Sequence, residues 1–319
     1  MSRFAPGERL DSYLIDEFLG AGAYNESYRA TDSRNGRTVV LKVPDPSLFA
    51  DPSIYNRYQR EAEVARRLDH PGVQGAIDAG EERDEPYLVL RFVEGGSLNK
   101  RLRSPRGGGP TNDGVPIDTA VDWGHQLAVG LAYLHGQGVI HRDLKPGNVL
   151  LTPEGRLVIA DFGTAQLAGA RRLTWKHLSA MLGTPDYMSP EQAQGGRGDA
   201  RSDIYAWGVM MYEILTGRVP FEGDNWMAVI AAHLHADPKP IRQLRRDVPP
   251  GVEAVVLHAM RRHPENRYPT ADALLDDLDH LERVDLRTYD LTPEKPMGGL
   301  VPGGGAKGLW AKVTKGRGR

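Results

Sequence analysis

Two aspartates, an asparagine and two lysines stand in surroundings that suit them for chemistry. Asp143, Lys145 and Asn148 share one ten-residue stretch, HRDLKPGNVL, from His141 to Leu150, and Asp161 opens the triplet DFG, Asp161–Gly163. Carboxylate and amide oxygens are hard donors of the kind that hold Mg2+, and lysine offers a compact cation to an anionic substrate. Lys42 closes the run VVLK, Val39–Lys42, in mid-strand, where alternation aims it inward. A buried ammonium is costly without a partner, and the helical stretch carrying Glu61 and Glu63 supplies one. Upstream, GAGAYNESY (Gly20–Tyr28) sets Gly20 and Gly22 in the spacing of a phosphate-cradling hairpin, G-x-G-x-x-G-x-V. Asn25 takes the place of the third glycine and Ser27 that of the valine. Taken singly, each signal is weak: a lone DFG or HRD is usually a turn or capping carboxylate. Their occurrence together and in order is not a coincidence.

Together these residues resemble the catalytic core of a eukaryotic-type (Hanks-type) Ser/Thr protein kinase of the bacterial kind. The family's signature set is a Gly-rich loop, V-A-I-K, H-R-D-L-x-x-x-N, D-F-G and A-P-E. Here the last reads SPE, Ser189–Glu191, and the resemblance runs from about Leu10 to Leu281. It implies ATP and Mg2+ (or Mn2+) as cofactors, with Asp161 and Asn148 as metal ligands. It also implies Asp143 as acceptor of the substrate hydroxyl's proton and Lys145 as the cation on the γ-phosphate. The family's spacing from the HP motif selects Glu61 over Glu63 as the partner of Lys42. By the same resemblance Gly20, Gly22, Asn25, Ser27 and Val40 cover the nucleotide, with Leu90 as gatekeeper. Main-chain groups of Arg91 and Val93 meet the adenine, and Leu150 and Ala160 form the floor. Thr184 contacts the catalytic aspartate. Arg142 awaits a phosphorylated Ser179 or Thr174, Asp203 holds the catalytic-loop backbone, and Glu191 pairs with Arg267. His141 orders the loop rather than moving protons. The acids that read basic peptides in arginine-directed members are replaced by Ser97 and Gly147, so nothing points to basic substrates.

Elements must position these groups. YLIDEFLG, SYRATD, TVVLKV and PYLVLRFV read as strands between turn signals, and residues 55–68 carry a helical period. A Gly/Pro insert, Ser104–Pro116, leads into a helix from Ile117 with Asp118 placed as its N-cap. Further helices are expected at Ser202–Thr216, Asn225–His235, Val252–Arg262 and Thr270–Leu281. The expected fold is α+β and bilobal. A small antiparallel β lobe of five strands with one main helix (about 10–93) stands over a larger helical lobe (94–285). Residues 293–319 form a Gly-rich, basic, disordered tail.

Bulk composition narrows the function. The 319 residues are 40% hydrophobic and 26% charged, with net charge −2 and no cysteine. Disulfide and thiolate chemistry are excluded, and neither nucleic acid nor membrane is an expected partner. No apolar run approaches the roughly 18 residues that span a bilayer. The expectation is a cytoplasmic enzyme acting on protein substrates and on itself. A pseudokinase scaffold is the alternative that the altered Gly-rich loop suggests. A small-molecule kinase would have no need of GTPDYMSPEQ, the peptide-binding segment.

Overall fold

The computed structural model describes residues 2–22, 25–45, 62–82, 85–103, 115–161 and 185–298. Nine strands lie among these residues: β1 (Arg9–Leu10), β2 (Tyr13–Ala21), β3 (Asn25–Asp32), β4 (Thr38–Pro44), β5 (Ala76–Glu82), β6 (Glu85–Arg91), β7 (Gly96–Ser97), β8 (Val149–Leu151) and β9 (Leu157–Ile159). The first six form one antiparallel sheet in the order β1-β2-β3-β4-β6-β5. It has one strand more than expected, because Arg9 and Leu10 pair back onto Leu14 and Tyr13.

Strand β4 explains why its sequence is apolar throughout rather than alternating. Val39, Leu41 and Val43 point into a cluster with Tyr13, Ile15, Tyr28, Ala30, Tyr87 and Val89. Val40, one step along, points the other way and joins the large core shared with the helical lobe. Lys42 lies on the same face as Val40 and is buried. The chain's first residues tie onto the next strand. The Arg3 amide donates to Glu26 at 2.9 Å, the Phe4 amide donates to the Tyr28 hydroxyl at 3.2 Å, and the Phe4 ring meets Tyr28 edge-on at 5.6 Å. Residues 62–67 are helical, as expected.

The second lobe is built around α2 (Ile117–Gly136) and α4 (Ala200–Thr216), which follow α1 (Leu98–Arg103) and the short α3 (Pro190–Ala193). All but three of the 17 residues of α4 are buried, so it is the central helix. Its start lies two residues earlier than expected, where Asp199 and Ser202 cap each other in a reciprocal box. Gly217 ends it in the left-handed region (φ 72°). The two helices cross closely at Gly124, where an added Cβ would come within 2.8 Å of Met211, and the Trp207 indole donates to the Gly124 carbonyl at 2.9 Å. Pro116, not Asp118, occupies the N-cap of α2. The preceding Val115 amide is tied to the Ile214 carbonyl at 2.8 Å, which sets the entry, and Asp118 lies in the first turn, where the helix dipole favours an acid. The remaining helices are α5 (Trp226–His235, capped by Asn225), α6 (Ile241–Leu244), α7 (Pro250–Ala259) and α8 (Ala271–Asp279, capped by Thr270). Among the described residues no helix is long and apolar enough to cross a membrane.

Part of the segment expected as disordered, 293–298, packs as a strap. The Glu294 side chain is 6% exposed; it accepts from the Arg262 amide and from Asn266 Nδ2. The Arg262 guanidinium takes the Glu294 carbonyl at 2.6 Å, and the Met297 amide donates to the Leu234 carbonyl at 3.1 Å. Buried arginines supply the partners that composition could not reveal. Residues 299–319 lie outside the described residues.

One buried group makes stability pH-dependent. His233 is 1% exposed, shares a 2.7 Å hydrogen bond with the Tyr205 hydroxyl, and packs on the Phe221 ring. Burial pulls its pKa down to about 3. Below pH ~6.5 the unfolded chain takes up a proton here that the folded chain refuses, so stability falls as pH drops from there toward 3. Denaturant melts at pH 7 and pH 5 should show wild type losing about 2 kcal/mol more than His233→Gln over that interval. Equal losses in both proteins would remove His233 from the account.

Candidate active site

The catalytic-loop segment leaves α2 and is caught at once by a single buried carboxylate. Asp203, on α4, accepts from the backbone N–H of His141 (2.8 Å) and Arg142 (2.7 Å), and pairs with His135 Nε2 at 2.9 Å. Arg142 has φ 65°, a conformation that costs a non-glycine residue and persists only where neighbours impose it. Its peptide is held from both sides, since Gln192 Nε2 donates to the Arg142 carbonyl at 2.9 Å. His141 is fully buried, with Nε2 bonded to the Ala160 carbonyl at 2.9 Å, a loop-ordering position.

The fixed turn delivers Asp143 to the surface of the cleft. Lys145 Nζ donates to both of its carboxylate oxygens, at 3.0 and 2.7 Å. Asn148 Nδ2 donates to the Asp143 carbonyl at 2.7 Å and to its Oδ2 at 3.0 Å. With its nitrogen so engaged, Asn148 presents its amide oxygen as the remaining acceptor. The Ala160 amide bonds the Asn148 carbonyl at 2.8 Å, which places Asn148 beside the residue preceding Asp161.

Asp161 closes the cleft from the other side. Its Oδ1 lies 2.7 Å from Lys42 Nζ, and it too has a left-handed backbone, φ 62°. The Lys42 ammonium holds this carboxyl below the usual carboxylate range, so it is ionised at neutral pH. Asp161 and Asn148 thus bring a carboxylate and an amide oxygen to one place, a donor set that fits a hard divalent cation. Glu61, Thr174, Ser179 and Thr184 lie outside the described residues.

The sheet register shows what shares the cleft face. Ser27 pairs with Lys42, Val40 with Arg29 and Leu90, and Gly20 with Ser27. Directly paired residues point the same way, so Ser27, Val40, Lys42 and Leu90 lie on one face, Ser27 and Val40 as diagonal neighbours. The Gly22 amide closes the hairpin tip onto the Asn25 carbonyl at 2.7 Å. Asn25 itself starts β3 and is not among the residues with positive φ, so the third glycine's place needs no left-handed backbone here. Leu150 pairs with Ser97, just past Val93, and Ala160 is buried beside it.

Arg91 finds a use for its side chain that an acid could not. Its guanidinium donates to the Val73 carbonyl at 3.2 Å, and its amide bonds the Gly75 carbonyl at 3.2 Å. Sequence reasoning missed Gln74, which is 5% exposed and donates its side-chain amide to the Arg91 carbonyl at 2.9 Å. The signal was present: a lone amide within the small and apolar run GVQGAI. It also missed Gln192, the donor that fixes Arg142.

A second buried pair braces the large lobe. Arg267 donates to both oxygens of Glu191, at 2.9 and 2.8 Å, and its guanidinium lies 4.7 Å from the centre of the Tyr205 ring. The Ser202 hydroxyl adds a third bond to Glu191 at 2.6 Å. The planar fork of arginine suits this bidentate site as no lysine would.

Comparison with known proteins agrees with this geometry. The family described as "Protein kinase domain" matches residues 13–278. A probable serine/threonine-protein kinase PknB of Corynebacterium glutamicum is 38% identical over 304 residues, which covers 90% of this chain and 46% of that protein. The serine/threonine-protein kinase PknB of Mycolicibacterium smegmatis is 38% identical over 277 residues, 86% of this chain and 43% of that one. The chain therefore spans less than half the length of these relatives. The crystal structure of the Mycobacterium tuberculosis PknI kinase domain superposes with a TM-score of 0.66 at 25% identity, over 87% of this chain and 99% of that one. The six-stranded antiparallel sheet, the helical lobe and the residues gathered between them have one explanation: the chain belongs to the eukaryotic-type Ser/Thr protein kinase family, whose members use ATP and a divalent metal.

Proposed function

We propose that this chain transfers the γ-phosphoryl group of ATP to serine or threonine hydroxyls of proteins, itself among them. The observation that carries the reading is the convergence of Lys145 and Asn148 on the Asp143 carboxylate, at 2.7 to 3.0 Å. Asp143 is thereby oriented to accept the hydroxyl proton as the oxygen attacks. Lys145 needs only a small shift to exchange that carboxylate for a γ-phosphate oxygen. Asn148 and Asp161 would hold Mg2+ or Mn2+, which when bound draws the phosphate oxygens together and neutralises their charge. Lys42 steers the phosphates from above, with Glu61 as its second partner. The Arg91 carbonyl, which keeps a second lone pair beside its bond from Gln74, and main-chain groups of Val93 receive the adenine under Leu90, between Val40 and Ser27 above and Leu150 and Ala160 below. Thr184 positions the acceptor hydroxyl. The kinase domain is placed at residues 10–285, divided after Val93, with a cytoplasmic site of action.

Regulation through the segment before Pro185 has one structural support. Arg142 Nε is buried without a hydrogen-bond partner among the described residues. A phosphate on Ser179, or on Thr174, would supply that partner and fix the segment against the catalytic loop. A scaffold reading would not require Lys42, Asp143, Asn148 and Asp161 together. A small-molecule kinase would not need the peptide-facing segment tied through Gln192 to the Arg142 carbonyl.

Labelled ATP with Mg2+ tests the reading. Wild type should label itself and casein, whereas Asp143→Asn and Asp161→Ala should each fall at least about a hundredfold while melting normally. Full labelling by either variant would refute the assignment. The hairpin makes a second test. The missing bulk at Ser27 and the added bulk at Val40 are diagonal neighbours, which suggests a compensating swap. Ser27→Val and Val40→Ala should each weaken ATP binding, and the double variant should recover about 0.5–1 kcal/mol relative to their sum. Additive effects would end the compensation idea.

A further inference from the structure

Strand β6 ends at Arg91, and its last carbonyl is answered by a side chain rather than by the sheet. Residues that form a hydrogen-bonded pair in an antiparallel ladder exchange both of their N–H···O bonds. Arg91 keeps half of such a pair, its amide donating to the Gly75 carbonyl at 3.2 Å. The return bond is diverted, because the Gly75 amide donates to the Val73 carbonyl at 3.0 Å. Gln74 Nε2 takes its place and donates to the Arg91 carbonyl at 2.9 Å. A carbonyl only accepts, so the glutamine must turn its NH2 end this way.

Gln74 is itself firmly held. Its amide donates to the Ile159 carbonyl at 2.8 Å, and the Ile159 amide donates to the Gly72 carbonyl at 2.8 Å. Val73 forms a parallel bridge with Ile159, and the Arg91 guanidinium donates to the Val73 carbonyl at 3.2 Å. Gly75 lies so close to the preceding helical segment that an added Cβ would come within 2.3 Å of the Leu68 carbonyl. Ile159 closes β9, two residues before Asp161. The buried glutamine therefore joins the end of the strand that carries Leu90 to the strand that delivers Asp161. We propose that Gln74 is a positioning residue for the base of the nucleotide. It holds the Arg91 carbonyl as acceptor for an exocyclic 6-amino group, and so favours 6-aminopurine nucleotides. This rests on the base contacts proposed above. Gln74 takes one lone pair of the carbonyl and leaves the other for the base. Without it the peptide after Arg91 loses the bond that fixes its plane, and part of what the amino group gains is spent on orienting that peptide.

The test uses the whole chain with Mg2+. Dissociation constants are measured for ATP and for purine riboside triphosphate, which differs from ATP in lacking the 6-amino group, by displacement of a fluorescent nucleotide. The ratio of the two constants reads that group alone. Gln74→Met keeps the length of the side chain and removes its donor. It should lower the ratio about fivefold, with affinity for purine riboside triphosphate changed by less than about twofold. Gln74→Leu should give the same fall, and both variants should melt as cooperatively as wild type. An unchanged ratio would overturn the proposal, whether both affinities hold or both weaken alike, and would leave Gln74 a packing residue. A raised ratio would overturn it too, since the glutamine would then compete with the base. A wild-type ratio of about one, with casein still labelled, would remove the Arg91 contact and this proposal while the kinase reading stands. If wild type neither binds ATP nor labels casein, the kinase reading itself fails.

Discussion

A buried carboxylate with no escape to water sets the geometry of everything around it. Asp203 is 1% exposed, and an ion in that position is tolerated only if its oxygens are fully answered. Two backbone amides and the imidazole of His135 answer them. Because the amides belong to His141 and Arg142, satisfying the charge and shaping the catalytic loop are one event. The left-handed Arg142 is the cost of that arrangement, and Asp143 projects into the cleft as its result. The carboxylate sits on α4, whose residues are nearly all buried, so the loop is referenced to the part of the molecule least able to move.

Two ion pairs show how burial separates bracing from exchange. Arg267 and Glu191 make two parallel bonds in the interior, joined by the Ser202 hydroxyl and the Tyr205 ring. Removing either partner strands a buried charge, which makes the pair a fixed brace. Lys42 and Asp161 are joined by one bond between a buried ammonium and a half-exposed carboxylate. Such a pair can trade partners, and in the proposed reaction phosphate oxygens would take the lysine and a metal the aspartate. Lys145 and Asp143 are arranged in the same exchangeable way. The interior therefore holds its shape while the cleft keeps charges free to regroup.

Much of this was legible in the sequence, because it is carried by residues whose cost must be repaid locally. Lys42 in mid-strand demanded a partner, and the roles of Asp143, Lys145 and Asn148 in HRDLKPGNVL were legible through its resemblance to the kinase signature set. The helix periods placed α2, α4, α5, α7 and α8 to within a few residues. Other features depend on contacts between segments far apart in the chain. Gln74 answers the Arg91 carbonyl, Gln192 that of Arg142, and Glu294 the Arg262 amide. A lone amide such as Gln74 in GVQGAI marks itself as needing a partner, but its neighbourhood does not say which one. Strand β5 was missed as a run because acids and a glycine interrupt its alternation at the sheet edge, where Ile77 is half exposed. At Asp118 a capping residue type was outweighed by Pro116, whose fixed backbone already set the entry.

The attachment of Arg3 and Phe4 to Glu26 and Tyr28 has a practical side. Those two acceptors lie on β3, within three residues of the hairpin tip at Asn25. Any affinity tag or fusion partner joined ahead of Ser2 leaves the small lobe at that spot, and its bulk is imposed on the β2–β3 hairpin first. If that hairpin covers the nucleotide as proposed, tagged and untagged preparations would differ in apparent nucleotide affinity for reasons unrelated to the cleft's own side chains.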